Sequence, residues 1–239
     1  MEERRIVTEL IPVPEDGLVK YPYKEKTPVV LLLDTSGSME GNPIDELNEG
    51  LLQFVQAIRE DEVAKKSVEI CVIEFGDTPR IDEENSFVLA EDFRPRKMIA
   101  DGYTPMGEAI DLALSEVTSR KAFLRQRGIN LFRPWIVLIT DGKPTDMKIG
   151  DRKWFSTKEA IKIAERDAHC LCWAFGTSKA DMNALKDLFP DRHVFGIVGA
   201  DFTSVFNFVS HSMKIIARSG GKQEVDLGNP GDFRLKVEI

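Results

Sequence analysis

Apolar and polar positions along the chain follow two rhythms. Pro28-Val29-Val30-Leu31-Leu32-Leu33 is a continuous apolar run that stops at Asp34. A strand covered on both faces, as in a parallel sheet, has this pattern because neither face meets water. From Asn42 the rhythm changes, and Ile44, Leu47, Leu51, Phe54, Val55 and Ile58 recur at the spacing of one helix face. The spacing predicts a helix opened by Asn42-Pro43. Asn42 is expected to cap it, Pro43 to take the first helical position, and Asp45 and Glu46 to sit at its positive end. The two rhythms then repeat. Strands are predicted over 67–75, 87–89, 134–140, 171–175 and 194–197. Helices are predicted from Thr104-Pro105 through Val117 and over 158–168, 182–189 and 202–217. This alternation predicts one α/β domain, a doubly wound, mostly parallel sheet with helices on both faces.

The two ends depart from the pattern. Residues 1–27 are punctuated by Pro12, Pro14 and Pro22 and read as an N-terminal extension, with one short strand expected at Ile6–Val13. The domain is placed at 28–218 and a tail at 219–239. After Ser219-Gly220-Gly221 the stretch Phe233–Ile239 alternates strictly between apolar and polar. That predicts a half-buried edge strand, expected to pair with the N-terminal stretch.

Composition narrows the function classes. With 42% hydrophobic residues in 239, the chain has enough apolar surface to offset the entropy of ordering, so wholesale disorder is excluded. Lys plus Arg number 32 and Asp plus Glu 40, a net charge of −8 that disfavours a general nucleic-acid partner. The longest apolar run, Val29–Leu33, is far short of the roughly 20 residues a membrane helix needs. The start of the chain lacks the apolar core of a signal peptide. Three cysteines make no paired disulfide framework. Cys170 and Cys172 lack the second cysteine pair of a zinc site and are read as buried thiols. The expectation is a soluble, cytoplasmic protein with no membrane partner. Neither GxxxxGK[ST] nor GxGxxG occurs, so nucleotide binding through those loops is unsupported. Trp135 and Trp173 are expected in the core, while Trp154-Phe155 fits either the core or a partner contact.

The candidate chemistry lies at strand ends, where open α/β sheets bind their ligands. The first strand ends in Asp34-Thr35-Ser36-Gly37-Ser38. The strand over 134–140 ends in Thr140-Asp141-Gly142. A helix is preceded by Asp101-Gly102-Tyr103-Thr104-Pro105. These residues resemble the von Willebrand factor A domain family over roughly 28–217. Asp34, Ser36 and Ser38 match its DxSxS motif, Thr104 its metal-linked threonine, and Asp141 the aspartate ending its fourth strand. Together they look like a metal-ion-dependent adhesion site. The run Leu138–Asp146 is also similar to a bacterial cytosolic branch that includes proteins encoded near tellurite-resistance genes, which implies a stress-response or signalling setting.

The residue chemistry agrees with the resemblance. Mg2+ is hard, takes oxygen ligands and keeps several waters. Asp34, Ser36, Ser38, Thr104 and Asp141 offer two carboxylates and three hydroxyls, and the two carboxylates only balance a divalent charge. An acidic side chain of a partner protein then has a reason to bind. Mn2+ and Ca2+ are the alternative ions. The resemblance implies that Thr104 and Asp141 exchange direct and water-mediated roles when such a partner arrives. The leading expectation is therefore a non-enzymatic, metal-dependent interaction module. Two alternatives are a haloacid-dehalogenase-type phosphohydrolase using Asp34, and a scaffold whose metal is structural. The first lacks an acid at Ser36, where that chemistry needs one. Asp146 and Asp151 fit either groups supporting the site from behind or at its rim, or loop carboxylates in solvent, and are left outside the site.

Overall fold

β1 (Thr27–Asp34) is buried at all eight positions. It has a parallel neighbour on each side. β2 (Val68–Phe75) pairs with it from Thr27 opposite Val68 to Asp34 opposite Phe75. β5 (Trp135–Thr140) pairs on the other side, from Val29 opposite Trp135 to Leu33 opposite Ile139. Successive side chains of β1 point to opposite faces. Val29, Leu31 and Leu33 enter one apolar cluster, and Val30 and Leu32 the other. The unbroken apolar run in the sequence thus serves two cores, one above and one below the sheet. The computed structural model describes residues 19–220, 226–227, 233 and 236–237.

α1 (Asn42–Arg59) and α5 (Phe202–Arg218) cover the first face. They approach so closely that a Cβ on Gly50 would stand 2.7 Å from the Phe206 ring. α2 (Met106–Gln126), α3 (Arg152–Arg166) and α4 (Met182–Leu188) line the second face. β6 (Leu171–Gly176) pairs parallel to β5, and β7 (Val194–Gly196) parallel to β6. The short β3 (Arg80–Ile81) and β4 (Val88–Leu89) run antiparallel on β2. β8 (Lys236–Val237) runs antiparallel on β7. The order is β3-β2-β1-β5-β6-β7-β8, with β4 also on β2. The sheet is therefore mixed but mostly parallel, with helices on both faces. Among the described residues, no helix is long and apolar enough to cross a membrane.

Several local expectations are corrected. Gly41, with φ 85°, precedes α1, and Asn42 is its first residue. The Asn42 amide donates to Glu46 Oε1 at 2.6 Å instead of capping. α2 starts after Pro105, and the Thr104 side chain makes no cap. α3 begins at Arg152, six residues before the start predicted at Lys158, because Asp151 Oδ1 accepts from the Trp154 N–H at 2.7 Å. β3 was not expected: two residues on an edge carry no periodic signal. The described part of the tail, Lys236–Val237, pairs antiparallel with β7, while residues 1–18 of the N-terminal stretch it was expected to meet lie outside the described residues. The strand expected at Ile6–Val13 lies outside the described residues. Trp135, Trp154 and Trp173 are all buried. The Trp154 indole donates to Asp187 Oδ2 at 2.7 Å, which settles it as core, whereas Phe155 is exposed.

Candidate metal centre

The chain leaves β1 toward β2 on one side and later returns to place β5 on the other. Strand order therefore reverses between β1 and β5, and a crevice opens outside their carboxyl ends. Each of these two strands ends in an aspartate's neighbourhood: β1 closes on Asp34, and β5 is followed at once by Asp141.

Asp34 is fully buried. Its Oδ1 accepts from the Ser36 N–H at 2.9 Å, and its Oδ2 accepts from the Thr140 hydroxyl at 2.5 Å. Thr140 Oγ1 in turn accepts from the Gly142 N–H at 3.1 Å. The Asp34 carboxyl is pushed up to about 6 by burial, against the lowering effect of the Ser36 and Thr140 hydrogen bonds. Ser36 Oγ and Ser38 Oγ are 3.0 Å apart, and Ser38 Oγ donates to Asp141 Oδ1 at 2.5 Å. Asp141 is 2% exposed, and its Oδ2 has no hydrogen-bond partner. The nearest cation to that oxygen is the exposed Lys179, whose Nζ stands 3.9 Å away. A buried carboxylate oxygen left without a donor is costly.

The third loop arrives by backbone contacts. The Asp101 N–H donates to Thr35 O at 2.7 Å, and the Gly37 N–H to Gly102 O at 3.1 Å. Gly76 permits this crossing, since a Cβ there would lie 2.4 Å from Asp101 O. Thr104 is thereby delivered to the crevice. A Cβ placed on Gly142 would meet Thr104 Oγ1 at 3.1 Å and both Asp34 Oδ2 and Ser38 Oγ at 3.6 Å. Oxygens from three separate segments thus converge on one small space beside Gly142. All five residues singled out in the sequence, Asp34, Ser36, Ser38, Thr104 and Asp141, lie in this cluster. The donor set is oxygen-only, with two carboxylates and three hydroxyls, and it suits a hard divalent cation. Among the described residues, no group of three or more His, Cys, Asp or Glu side chains is placed to hold a metal. The fit therefore depends on the hydroxyls.

Sequence reasoning left five contributors out of the site. Thr140 holds Asp34, and the only hint was a polar residue closing an apolar strand. Gly142 keeps the space open. Lys179 faces Asp141 from the β6–α4 loop. Thr145 and Asp146 reach back to the Thr104 segment. Thr104 N–H donates to Thr145 Oγ1 at 3.1 Å, and Thr145 N–H to Thr104 O at 2.9 Å. Asp146 Oδ1 and Oδ2 accept from the Gly107 and Glu108 N–H groups at 3.1 and 2.8 Å. Asp151 caps α3 and takes no part in the cluster. Cys170 and Cys172 are buried free thiols with their sulfurs 3.7 Å apart.

The model of the von Willebrand factor type A domain matches residues 29–211. Among curated proteins, none matches the chain significantly. Solved structures do. A von Willebrand factor type A protein from Catenulispora acidiphila superposes with a TM-score of 0.57 at 15% identity, over 80% of this chain and 43% of its own. The pilus adhesin SpaC from Lactobacillus rhamnosus GG, in its open conformation, gives 0.60 at 16% identity, over 80% of this chain and 30% of its own. Proximal thread matrix protein 1 from the mussel byssus, with a zinc-occupied MIDAS motif, gives 0.53 at 15% identity, over 81% of this chain and 46% of its own. The chain spans less than half of each of these three, and at such identities the likeness is one of fold.

Proposed function

The chain belongs to the von Willebrand factor type A domain family, and on that premise we propose that its crevice is a metal-ion-dependent adhesion site that captures an acidic side chain of a partner protein. The observation that carries the reading is the convergence of Asp34 Oδ2, Ser38 Oγ and Thr104 Oγ1 on the space beside Gly142, next to the partnerless Asp141 Oδ2. When bound, a divalent ion supplies a positive point in an acidic protein and a site where a foreign carboxylate can replace water. Asp34, Ser36, Ser38, Thr104 and Asp141 would hold it. The structure's contribution is preorganisation. Thr140 and the Ser36 N–H fix Asp34, while Ser38 and Asp141 are locked to each other. Magnesium is the proposed ion, with manganese or calcium as substitutes, and a cytoplasmic stress-response or signalling complex is the proposed setting.

The haloacid-dehalogenase reading is weaker. Its nucleophile needs a free carboxylate oxygen, and both oxygens of Asp34 are engaged in a fully buried position. Ser36 supplies no acid where that chemistry needs one.

Mn2+ titration followed by water-proton relaxation tests the proposal. One Mn2+ should bind per chain and retain exchangeable water. Acetate or a glutamate-rich peptide should lower the relaxivity by displacing that water. Asp34→Ala and Ser38→Ala should abolish the signal. A wild-type chain that binds no Mn2+ overturns the reading. A bound Mn2+ whose relaxivity ignores carboxylates points instead to a structural metal.

A further inference from the structure

The Thr104 segment is held by four hydrogen bonds from Thr145 and Asp146, two consecutive residues on the loop after β5. Thr145 brackets Thr104 through both its hydroxyl and its N–H, and Asp146 accepts the first free N–H groups of α2 through both carboxylate oxygens. No side chain of its own segment caps α2: the Met106 N–H donates to Thr104 O at 2.8 Å, and the next two N–H groups are met from elsewhere. The orphan N–H groups of a helix start need partners, and here the partner comes from about 40 residues away in sequence (|i−j| of 38 and 39). The packing is close: a Cβ on Gly107 would stand 2.9 Å from Asp146 Oδ2 and 2.9 Å from Met147 Sδ. Thr104 stands one residue before the N-cap position, its N–H and C=O are both held by Thr145, and its Oγ1 lies beside Asp34 and Ser38.

Resting on the adhesion-site reading, we infer that Thr145 and Asp146 are positioning residues of that site: they anchor the Thr104 backbone and the start of α2 and so fix the Thr104 hydroxyl for the metal. Thr145 is exposed and uncharged, so its contribution is geometric rather than electrostatic. Asp146 adds a charge, but its two oxygens are spent on backbone N–H groups. Groups that orient a ligand in this way change metal affinity by about 10-fold or more when removed.

The test measures Mn2+ affinity in the full chain, with a thermal melt in EDTA for each variant. Thr145→Val and Asp146→Ala should each weaken Mn2+ binding by about 10-fold, and Thr145→Ser should restore it. The Asp146→Ala loss should persist in 0.5 M NaCl, where a through-space charge effect fades. In a Thr104→Val background, Thr145→Val should cost nothing further, because the hydroxyl it positions is gone. A structural role alone would cost the same in both backgrounds and overturns the inference. Unchanged affinity in Thr145→Val and Asp146→Ala, with wild type binding normally, overturns this inference alone. Failure of wild type to bind Mn2+ overturns it together with the adhesion-site reading.

Discussion

Replacing Asp34 by asparagine should make the metal-free protein more stable, although Asp34 is the most deeply buried residue of the proposed site. A carboxyl raised from 3.8 to about 6 by burial carries about 3 kcal/mol of destabilisation at neutral pH, at about 1.4 kcal/mol per tenfold change in proton affinity. Asparagine removes that charge. It keeps one oxygen to accept from the Ser36 N–H, but its amide must donate to Thr140 Oγ1 where Asp34 accepts, a rearrangement worth about 1 kcal/mol. The net gain is about 2 kcal/mol, or roughly 5 °C in melting temperature for a domain of this size. The sign follows from linkage. The folded state holds the proton more tightly than the unfolded chain, so wild-type stability falls as pH rises from about 4 through about 6 and is level above that. Urea unfolding in EDTA at pH 7.5 should therefore favour Asp34→Asn, with the gap closing at pH 4–5. Added Mg2+ should stabilise wild type alone, by about 2.7 kcal/mol at 100 times its Kd. A variant less stable than wild type in EDTA at pH 7.5, or a gap that ignores pH, refutes the reasoning.

Two further outcomes are expected. Gly142→Ala places a methyl 3.1 Å from Thr104 Oγ1 among the converging oxygens. It should abolish Mn2+ binding while circular dichroism shows an unchanged fold, and retained binding would mean the ion sits elsewhere. Lys179→Met removes the ammonium 3.9 Å from Asp141 Oδ2. The side chain is exposed, so the pairing is worth at most about 1 kcal/mol, and Mn2+ should bind two- to fivefold more tightly, about as much as that energy allows. Weaker binding would show that the lysine assists the ion.

The sequence made the interior plain and the edges obscure, for a physical reason. β1, β5 and α1 are long, and burial dictates most of their positions, so periodicity reveals them. β4 was expected within 87–89, but β3 is two residues long and its pairing to β2 is decided by tertiary contact alone. The helix starts failed where the cap came from elsewhere. The start of α2 is held from a different loop, where Asp146 accepts two of its N–H groups, and no local rule anticipates that. The five candidate ligands could be named because together, at strand ends and before a helix, they resemble the family's motif, which no one of them does alone. Thr140, Thr145 and Asp146 could not, because their partners lie far away in sequence and their own surroundings look like ordinary loop.

The separation of those partners has a consequence for how the protein matures. Thr140 meets Asp34 across 106 residues, and Ser38 meets Asp141 across 103. No short piece of the unfolded chain holds more than a fragment of the oxygen cluster, and the cluster exists only once β5 has docked beside β1. The proposed site can therefore take a cation only after the fold is finished, and metal uptake during refolding should trail assembly of the sheet centre.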